Sequence, residues 1–532
     1  MNHVLLPDDT EGTMQSCDLL IVGGGINGAG IARDAAGRGL RVILCEQHDL
    51  AQHTSSASTK LIHGGLRYLE YYEFKLVRKA LQEREILLRS APHIMWPLRF
   101  VMPHDRSQRP ALMIRAGLFL YDHLARRAFL PGSAKITLGT HVAGNPLKPG
   151  YSTGFVYSDG WVDDARLVVL NAVDAARRGA TILTRTKCVS AERDGDGWRA
   201  VLESSAGGRI DVAARAVINA AGPWAAQFAG MASAAGARHG LRLIKGSHIV
   251  VPKLFDHPYA YIFQNQDRRI VFAIPYQNDF TLIGTTDEEY AGATDRVAIN
   301  SDEVEYLCAV SNQYFKKQIA PGDVTWTYSG VRPLLDDNAA DASGVTRDYL
   351  LECDVGTEGP ALAPLLNIWG GKITTYRKLA EEALALLLPQ LQTNRPEVAK
   401  APAWTAGAPL PGGDFEHPGQ LVAHIDFDAY LTRFQAQYRW LPAALAVRYA
   451  RSYGTCANQI LGMASELSDL GHELCPGLYE AEARYLRDVE WACTAPDILW
   501  RRTKLGLHCQ PHHVARLEQW LLQPVPEQMS MV

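Results

Sequence analysis

The sequence predicts a mixed α/β fold with more than one domain, on three observations. An apolar strand near the N-terminus passes through a Gly-rich turn into an Ala-rich helix. A central stretch holds short β-branched and aromatic runs between polar turns, and helical periodicity follows a Pro/Gly-rich segment toward the C-terminus. At 532 residues the chain exceeds what one hydrophobic core organises, and roughly 150 residues per domain gives about three units.

Residues 1–16 (MNHVLLPDDTEGTMQS) have neither a basic n-region nor a long apolar core, so they read as a disordered extension rather than a secretory signal. From Asp18, LLIVGGG, an Ala-rich stretch to Gly39, and RVILCE give strand, helix, strand. Residues 17–239 together with 336–400 are expected to form one discontinuous Rossmann-like domain. NIWGGKITTYRKLAEEALALLL takes a strand through a Gly-Gly turn into a helix and returns the chain to the first unit. Between them, 240–335 carries SHIVVP, YAYIF, RIVFAIP and FTLIGTT, the pattern of a largely antiparallel, β-rich domain. APAWTAGAPLPGG marks a linker at 401–414, and 415–522, with EARYLRDVEWA and HHVARLEQWLL, reads as an all-α cap.

Composition excludes several classes of function. Hydrophobic residues at 47% and charged residues at 21% are those of an ordinary globular chain, and a net charge of −4 argues against nucleic-acid binding. No apolar run is long enough to span a bilayer, so membrane association is expected to be peripheral. Nine scattered cysteines without a CxxC pair fit a reducing, cytoplasmic compartment. Between Arg99 and Lys135, seven basic residues (Arg99, Arg106, Arg109, Arg115, Arg126, Arg127, Lys135) stand against Asp105 and Asp122 and flank MIRAGLFLYDHL. That pattern suits an interfacial anchor, and equally a core helix with a solvated basic loop.

Gly23, Gly25 and Gly28 form GxGxxG between strand and helix, and Glu46 ends the next strand. The glycines permit a tight turn and close approach of a pyrophosphate to a helix N-terminus, while the acid accepts hydrogen bonds from a ribose diol and disfavours a 2′-phosphate. FAD or NAD is expected over NADP. The further pieces DLAQHTSSASTKLIHGGLRYLE, VINAAGPWA and IWGGKITTYRK are spread over most of the chain, which favours FAD over the compact site of a nicotinamide enzyme.

TSSASTKLIHGGLRYLE, VINAAGPWA, IKGSHIVVP, IGTTDEEY, YSGVRPLL and GGKITTYRKLAEEAL together closely resemble the bacterial aerobic glycerol-3-phosphate dehydrogenase family, in the amino-acid-oxidase-like flavoprotein group, over about Cys17 to Leu522. The resemblance implies non-covalent FAD, glycerol 3-phosphate as substrate, a membrane quinone as acceptor, and peripheral attachment to the cytoplasmic face of the inner membrane. A homodimer is compatible with it. Carried over residue by residue, it implies FAD contacts at Gly23, Gly25, Ile26, Asn27, Gly28 and Glu46, at the backbone of Cys188 and Val189, and at Ala221 and Gly222. Thr54, Ser55, Ser58, Leu61 and His63 would line the ring region, and Gly370, Gly371 and Lys372 would bring a helix start against it.

A phosphomonoester brings about −1.5 to −2 charges and calls for several cationic partners. Arg67 and Tyr68 are the leading phosphate ligands, joined by Arg332, Arg347 and Lys372. Oxidation of a secondary alcohol also needs a proton acceptor, for which His248 in GSHIVV is the best candidate, with Arg332 and Lys372 orienting the oxygens. His508, Cys509, His512 and His513 read as a helix cap and solvent-facing turn, and no metal is expected. His53 is read as a polar-loop residue rather than a flavin attachment point. The competing functions are an oxygen-using glycerol-3-phosphate oxidase or related amino-acid-type oxidase, and a non-catalytic flavin-binding scaffold.

Overall fold

The computed structural model describes residues 14–523 except 106–108, 234–235, 237–238, 266, 268, 337–347, 357–361, 392–395 and 422–425. The expected extension at 1–16 thus falls outside the described residues up to position 13, and strand β1 (Gln15–Val22) already contains Gln15 and Ser16.

Two sheets carry the architecture. In the first, β18 (Leu365–Trp369), β10 (Arg209–Asn219), β1, β2 (Val42–Cys45) and β7 (Thr181–Leu183) run parallel in that order. β17 (Leu350–Asp354) pairs antiparallel outside β18, and the hairpin of β8 (Thr186–Asp194) and β9 (Gly197–Ser204) joins β10 antiparallel. The central strands are apolar runs because both faces are covered. Helices α1 (Ile26–Gly37), α4 (Asp164–Arg177) and α7 (Tyr376–Leu387) form one core with this sheet. Small residues let them approach: a Cβ at Gly30 of α1 would lie 2.6 Å from the Tyr376 ring. On the other face, α5 (Ala225–Ala232) buries Phe228 and Ala232 against β8, β9 and β10.

The second sheet runs β15 (Glu288–Glu289), β11 (Leu241–Pro252), β14 (Phe280–Gly284), β13 (Ile270–Tyr276), β12 (Ala260–Gln264), β4 (Met95–His104), β6 (Thr153–Val162), β3 (Leu61–Ile62), with β16 (Trp326–Leu335) on β11 and β5 (Ala134–Thr137) on β6. It is antiparallel except where β12 meets β4. This β-rich unit is therefore larger than 240–335: strands between 61 and 162 belong to it. Pro97 and Pro103 within β4 weaken the strand pattern there, and helices α2 (Phe74–Ser90) and α3 (Ala111–His123) flank it on both sides in the sequence. Helix α6 (Ser301–Tyr314), held by a capping box of Asn300 and Glu303, covers the opposite face.

The segment at 401–414 has a linker's composition but is pinned along its length. The Trp404 indole donates to the Asp34 carbonyl at 3.1 Å, Arg33 donates to the Ala408 and Pro409 carbonyls, and Leu410 N–H to Ser90 O. Proline and glycine exclude regular structure there without excluding packing. Beyond it, helices at Phe427–Gln437, Ala443–Tyr453, Glu480–Glu490 and Pro511–Leu521 enclose their own core. The unit also holds a small hairpin, Glu473–Cys475 with Leu478–Tyr479, so it is mainly rather than wholly helical.

Candidate active site

The glycine turn after β1 is tight for a steric reason. Gly23 has φ +111°, and a Cβ there would lie 2.4 Å from Ala220 O, while a Cβ at Gly28 would lie 1.9 Å from Gly23 O. The first lets the turn pass under the end of β10, and the second seats α1 on the turn. Gly25 precedes α1 without any side-chain cap, and Ile26 N–H donates to Ser55 Oγ at 3.0 Å. An uncapped helix N-terminus facing a cavity is a ready anion site. Glu46 lies at the end of β2, its two carboxylate oxygens accepting Gly24 N–H at 2.7 Å and His48 N–H at 2.8 Å. Burial raises its carboxyl above the ordinary value.

From this turn a cavity of about 1150 Å³ extends between the two sheets. Val189 enters its wall at a register shift between Cys188 and Ser190, with Ala221 and Gly222 across from it at the end of β10. Thr54, Ser55, Ser58, Leu61 and His63 follow along one side. Thr54 Oγ1 donates to Val331 O on β16 at 2.7 Å, and Ser58 Oγ to Asp164 at the start of α4 at 2.7 Å, so the second sheet and a helix of the first unit both hold this loop. Gly370 and Gly371, both at positive φ, close the wall, and Gly370 O accepts from Asn27 Nδ2 at 3.2 Å.

At the second sheet, His248 on β11, Arg332 on β16, and Lys372 with Tyr68 converge on the same cavity. His248 is buried, with its Nε2 3.0 Å from Thr59 Oγ1, its ring stacked on Tyr328, and its Nδ1 without a partner among the described residues. Burial first, then the charges of Lys60 and Arg332, pull the imidazole down to about 3. Arg332 pairs with Asp287, and the Lys372 ammonium sits 4.1 Å from the Tyr68 ring centroid. Lys60 itself is locked to Asp164 at 2.7 Å.

Two expected site residues stand apart from the cavity wall. Arg67, in the turn Leu66–Tyr71, is half-buried but does not line the cavity, whereas its neighbour Tyr68 does; a short 3₁₀ turn sends adjacent side chains in different directions. Gly28 lies behind the glycine turn, where its contribution is helix–strand packing. Arg347 lies outside the described residues. Sequence reasoning missed Thr59, Lys60, Tyr328 and Asp287, although TSSASTK, YSGVRPLL and IGTTDEEY contain all four. His53 contacts His48 (Nε2 to Nδ1, 2.9 Å) and the edge of Trp224, and His513 Nδ1 accepts Gln510 N–H at the start of the last helix.

The cavity fits a dinucleotide. It combines a glycine turn packed so closely on Ala220 that Gly23 can carry no side chain, a helix start that Gly25 leaves without a cap of its own, a buried acid, and two buried polar atoms left without partners among the described residues, Asn27 Oδ1 and His248 Nδ1. Residues 18–377 match the FAD dependent oxidoreductase family, and residues 403–519 match the C-terminal domain of alpha-glycerophosphate oxidase. Fold and site thus define an FAD-dependent oxidoreductase. The chain is 54% identical over 504 residues to a glycerol-3-phosphate dehydrogenase of Pseudomonas aeruginosa (95% of this chain, 94% of the relative). It is 49% identical to the aerobic glycerol-3-phosphate dehydrogenase of Escherichia coli (97% and 100%). The crystal structure of the glycerol-3-phosphate dehydrogenase from Bacillus halodurans complexed with FAD superposes with a TM-score of 0.71 at 25% identity, covering 96% of this chain and 97% of that one. The chain belongs to this family of FAD-dependent glycerol-3-phosphate dehydrogenases.

Proposed function

We propose that the protein oxidises sn-glycerol 3-phosphate to dihydroxyacetone phosphate and passes the electrons to a membrane quinone. The observation that carries the reading is the convergence of two cations, Arg332 and Lys372, with one neutral imidazole, His248, on the lining of the cavity that the glycine turn opens into. Bound FAD supplies the two-electron acceptor. Arg332, Lys372 and the Tyr68 hydroxyl bind the dianionic phosphate, for which charge-assisted hydrogen bonds are the strong kind. His248 is uncharged above about pH 4 and accepts the proton of the substrate hydroxyl. Thr59 and Tyr328 hold the ring at a fixed tilt for that transfer. The glycine turn, Glu46, Val189 and the 54–63 loop hold FAD without a covalent bond.

Peripheral membrane attachment is supported by α3. Leu112, Met113 and Phe119 are 82%, 62% and 64% exposed on it, beside exposed Tyr72, with Arg109 and Arg115 at hand. No helix among the described residues is long and apolar enough to cross a membrane. The match of 403–519 to a domain described for an oxidase makes oxygen the competing acceptor.

An anaerobic spectral titration tests the whole reading. Glycerol 3-phosphate should bleach the yellow holoenzyme stoichiometrically, glycerol should not, and a soluble quinone should restore the colour much faster than air. Acid should release all the flavin. No bleaching by glycerol 3-phosphate would reject the substrate, and faster recovery in air, with peroxide formed, would make the enzyme an oxidase.

A further inference from the structure

The C-terminal unit reaches into the nucleotide end of the cavity through charge. Asp49, three residues after Glu46, is fully buried, and its carboxylate accepts Arg501 Nε at 2.6 Å and two Arg502 nitrogens at 2.8 Å each. Both arginines come from a π-helical turn, Asp497–Arg502, of the C-terminal unit. Burial, which alone raises a carboxyl, is outweighed by Arg502 and Arg501, and Asp49 sits below its ordinary value.

Asp49 is a pivot of the cavity wall. Its N–H donates to Gln52 Oε1 and its carbonyl accepts Gln52 N–H. In the same turn, Ala51 N–H reaches Gly24 O in the glycine loop. Gln52, Ala51 and His53 all face the cavity. Directly beside this turn, Arg185 lines the cavity, donates its N–H to His48 O at 2.7 Å, and pairs with Asp497, which also pairs with Arg501. The π-helical turn thus grips two neighbouring segments of the cavity lining. Arg502 continues the chain to Glu490, whose partner is Arg166 on α4.

A network that only joined two domains could sit anywhere along their interface. This one ends on the turn between Glu46 and the 54–63 loop, and on the strand start beside Val189. We infer that Arg501 and Arg502 are positioning residues for the dinucleotide: through Asp49 and, by way of Asp497, Arg185, the C-terminal unit holds these two neighbouring segments of the nucleotide end in place and sets how long FAD stays bound. The inference rests on the FAD assignment and is independent of the substrate.

The test follows FAD release from the purified holoprotein by the rise of free-flavin fluorescence after dilution, at a temperature well below unfolding, alongside the melting temperature of each variant. Asp49→Asn and Arg501→Met should speed release by about tenfold or more, as expected for loss of a buried charge-assisted contact, and Arg501→Lys should recover part of the loss. Asp497→Asn, which frees Arg185 and leaves the Asp49–Arg502 contact in place, should speed release to a smaller degree and keeps the test open if the others fold poorly. Unchanged release in variants whose melting temperature falls would overturn the inference and leave the network as a domain fastener. Wild-type protein that retained no flavin at all would instead reject the FAD assignment.

Discussion

The His248 ring occupies the space that a side chain at Gly284 would fill: the two residues pair across β11 and β14, and a Cβ at Gly284 would lie 2.1 Å from His248 Cδ2. Tyr328 stacks on the ring at 4.7 Å between centroids, and Thr59 holds Nε2. The imidazole is therefore placed by a missing side chain as much as by its partners. Gly284→Ala should leave FAD bound but push the ring off its site. Misplacing a reacting group by about 1 Å costs roughly 10²-fold, so single-turnover flavin reduction by glycerol 3-phosphate should fall by about that factor. A near-wild-type rate would mean that ring position does not matter to the proton transfer.

The burial of His248 changes the pH dependence expected of a histidine base. An exposed imidazole would give a rate rising through about pH 6.5, but here the folded value lies near 3. The unprotonated form prevails above that, so single-turnover reduction should show no limb from His248 between pH 5 and 8. The linked effect on stability has a definite sign. The unfolded chain binds the proton below about 6.5 and the folded chain does not, so this group's contribution is present above 6.5 and is lost as pH falls toward 3. His248→Asn should lower the rate by about 10²–10⁴-fold at every pH. A limb near pH 6.5 that disappears in the variant would show that the imidazole is far more solvated than its packing implies.

The parts of the site that were legible in the sequence are those whose constraint is local. Gly23 and Gly28 are dictated by contacts within one turn and its neighbouring strand, and Gly370 and Gly371 by their own φ values, so the glycine pattern announces them. The Asp49–Arg502 contact spans 453 positions, and no periodicity or spacing connects residues so far apart. Val189 enters the cavity wall through a bulge, and an alternating strand pattern does not reveal where register slips. Strand β4, and β6 which joins the sheet through it, were hidden differently: prolines mask β4, and its parallel contact to β12 across a long sequence gap has no turn signal to mark it.

Arg67 and Lys372 give opposite expectations. Both are cations in motifs of the same family, but only Lys372 lines the cavity. Lys372→Met and Arg332→Met should each raise KM for glycerol 3-phosphate by roughly 10- to 100-fold, the value of a lost hydrogen bond to a charged group. Arg67→Ala should raise it far less. Steady-state KM values for the three variants, with FAD content measured in each, decide the matter. A larger effect for Arg67 than for Lys372 would mean that the turn Leu66–Tyr71 rearranges when substrate enters.

The exposed face of α3 predicts how the protein meets lipid. Leu112, Met113 and Phe119 project from one helix whose N-terminal side is braced by the Arg109–Glu70 pair to the turn that leads into exposed Tyr71 and Tyr72. Burying a Leu, Met or Phe side chain contributes about 1.5–3 kcal/mol, while each basic residue near an anionic leaflet contributes about 1 kcal/mol that salt screens. The apolar share should dominate. Cosedimentation with vesicles containing phosphatidylglycerol should therefore weaken in high salt without disappearing. The combined variant Leu112→Ser, Met113→Ser, Phe119→Ser should stay in the supernatant, while its soluble flavin is still bleached by glycerol 3-phosphate, since none of the three lines the cavity. Wild-type cosedimentation by that variant would move the lipid-facing surface elsewhere. A variant that instead changed from dimer to monomer in solution would identify the patch as a contact between two copies of the chain.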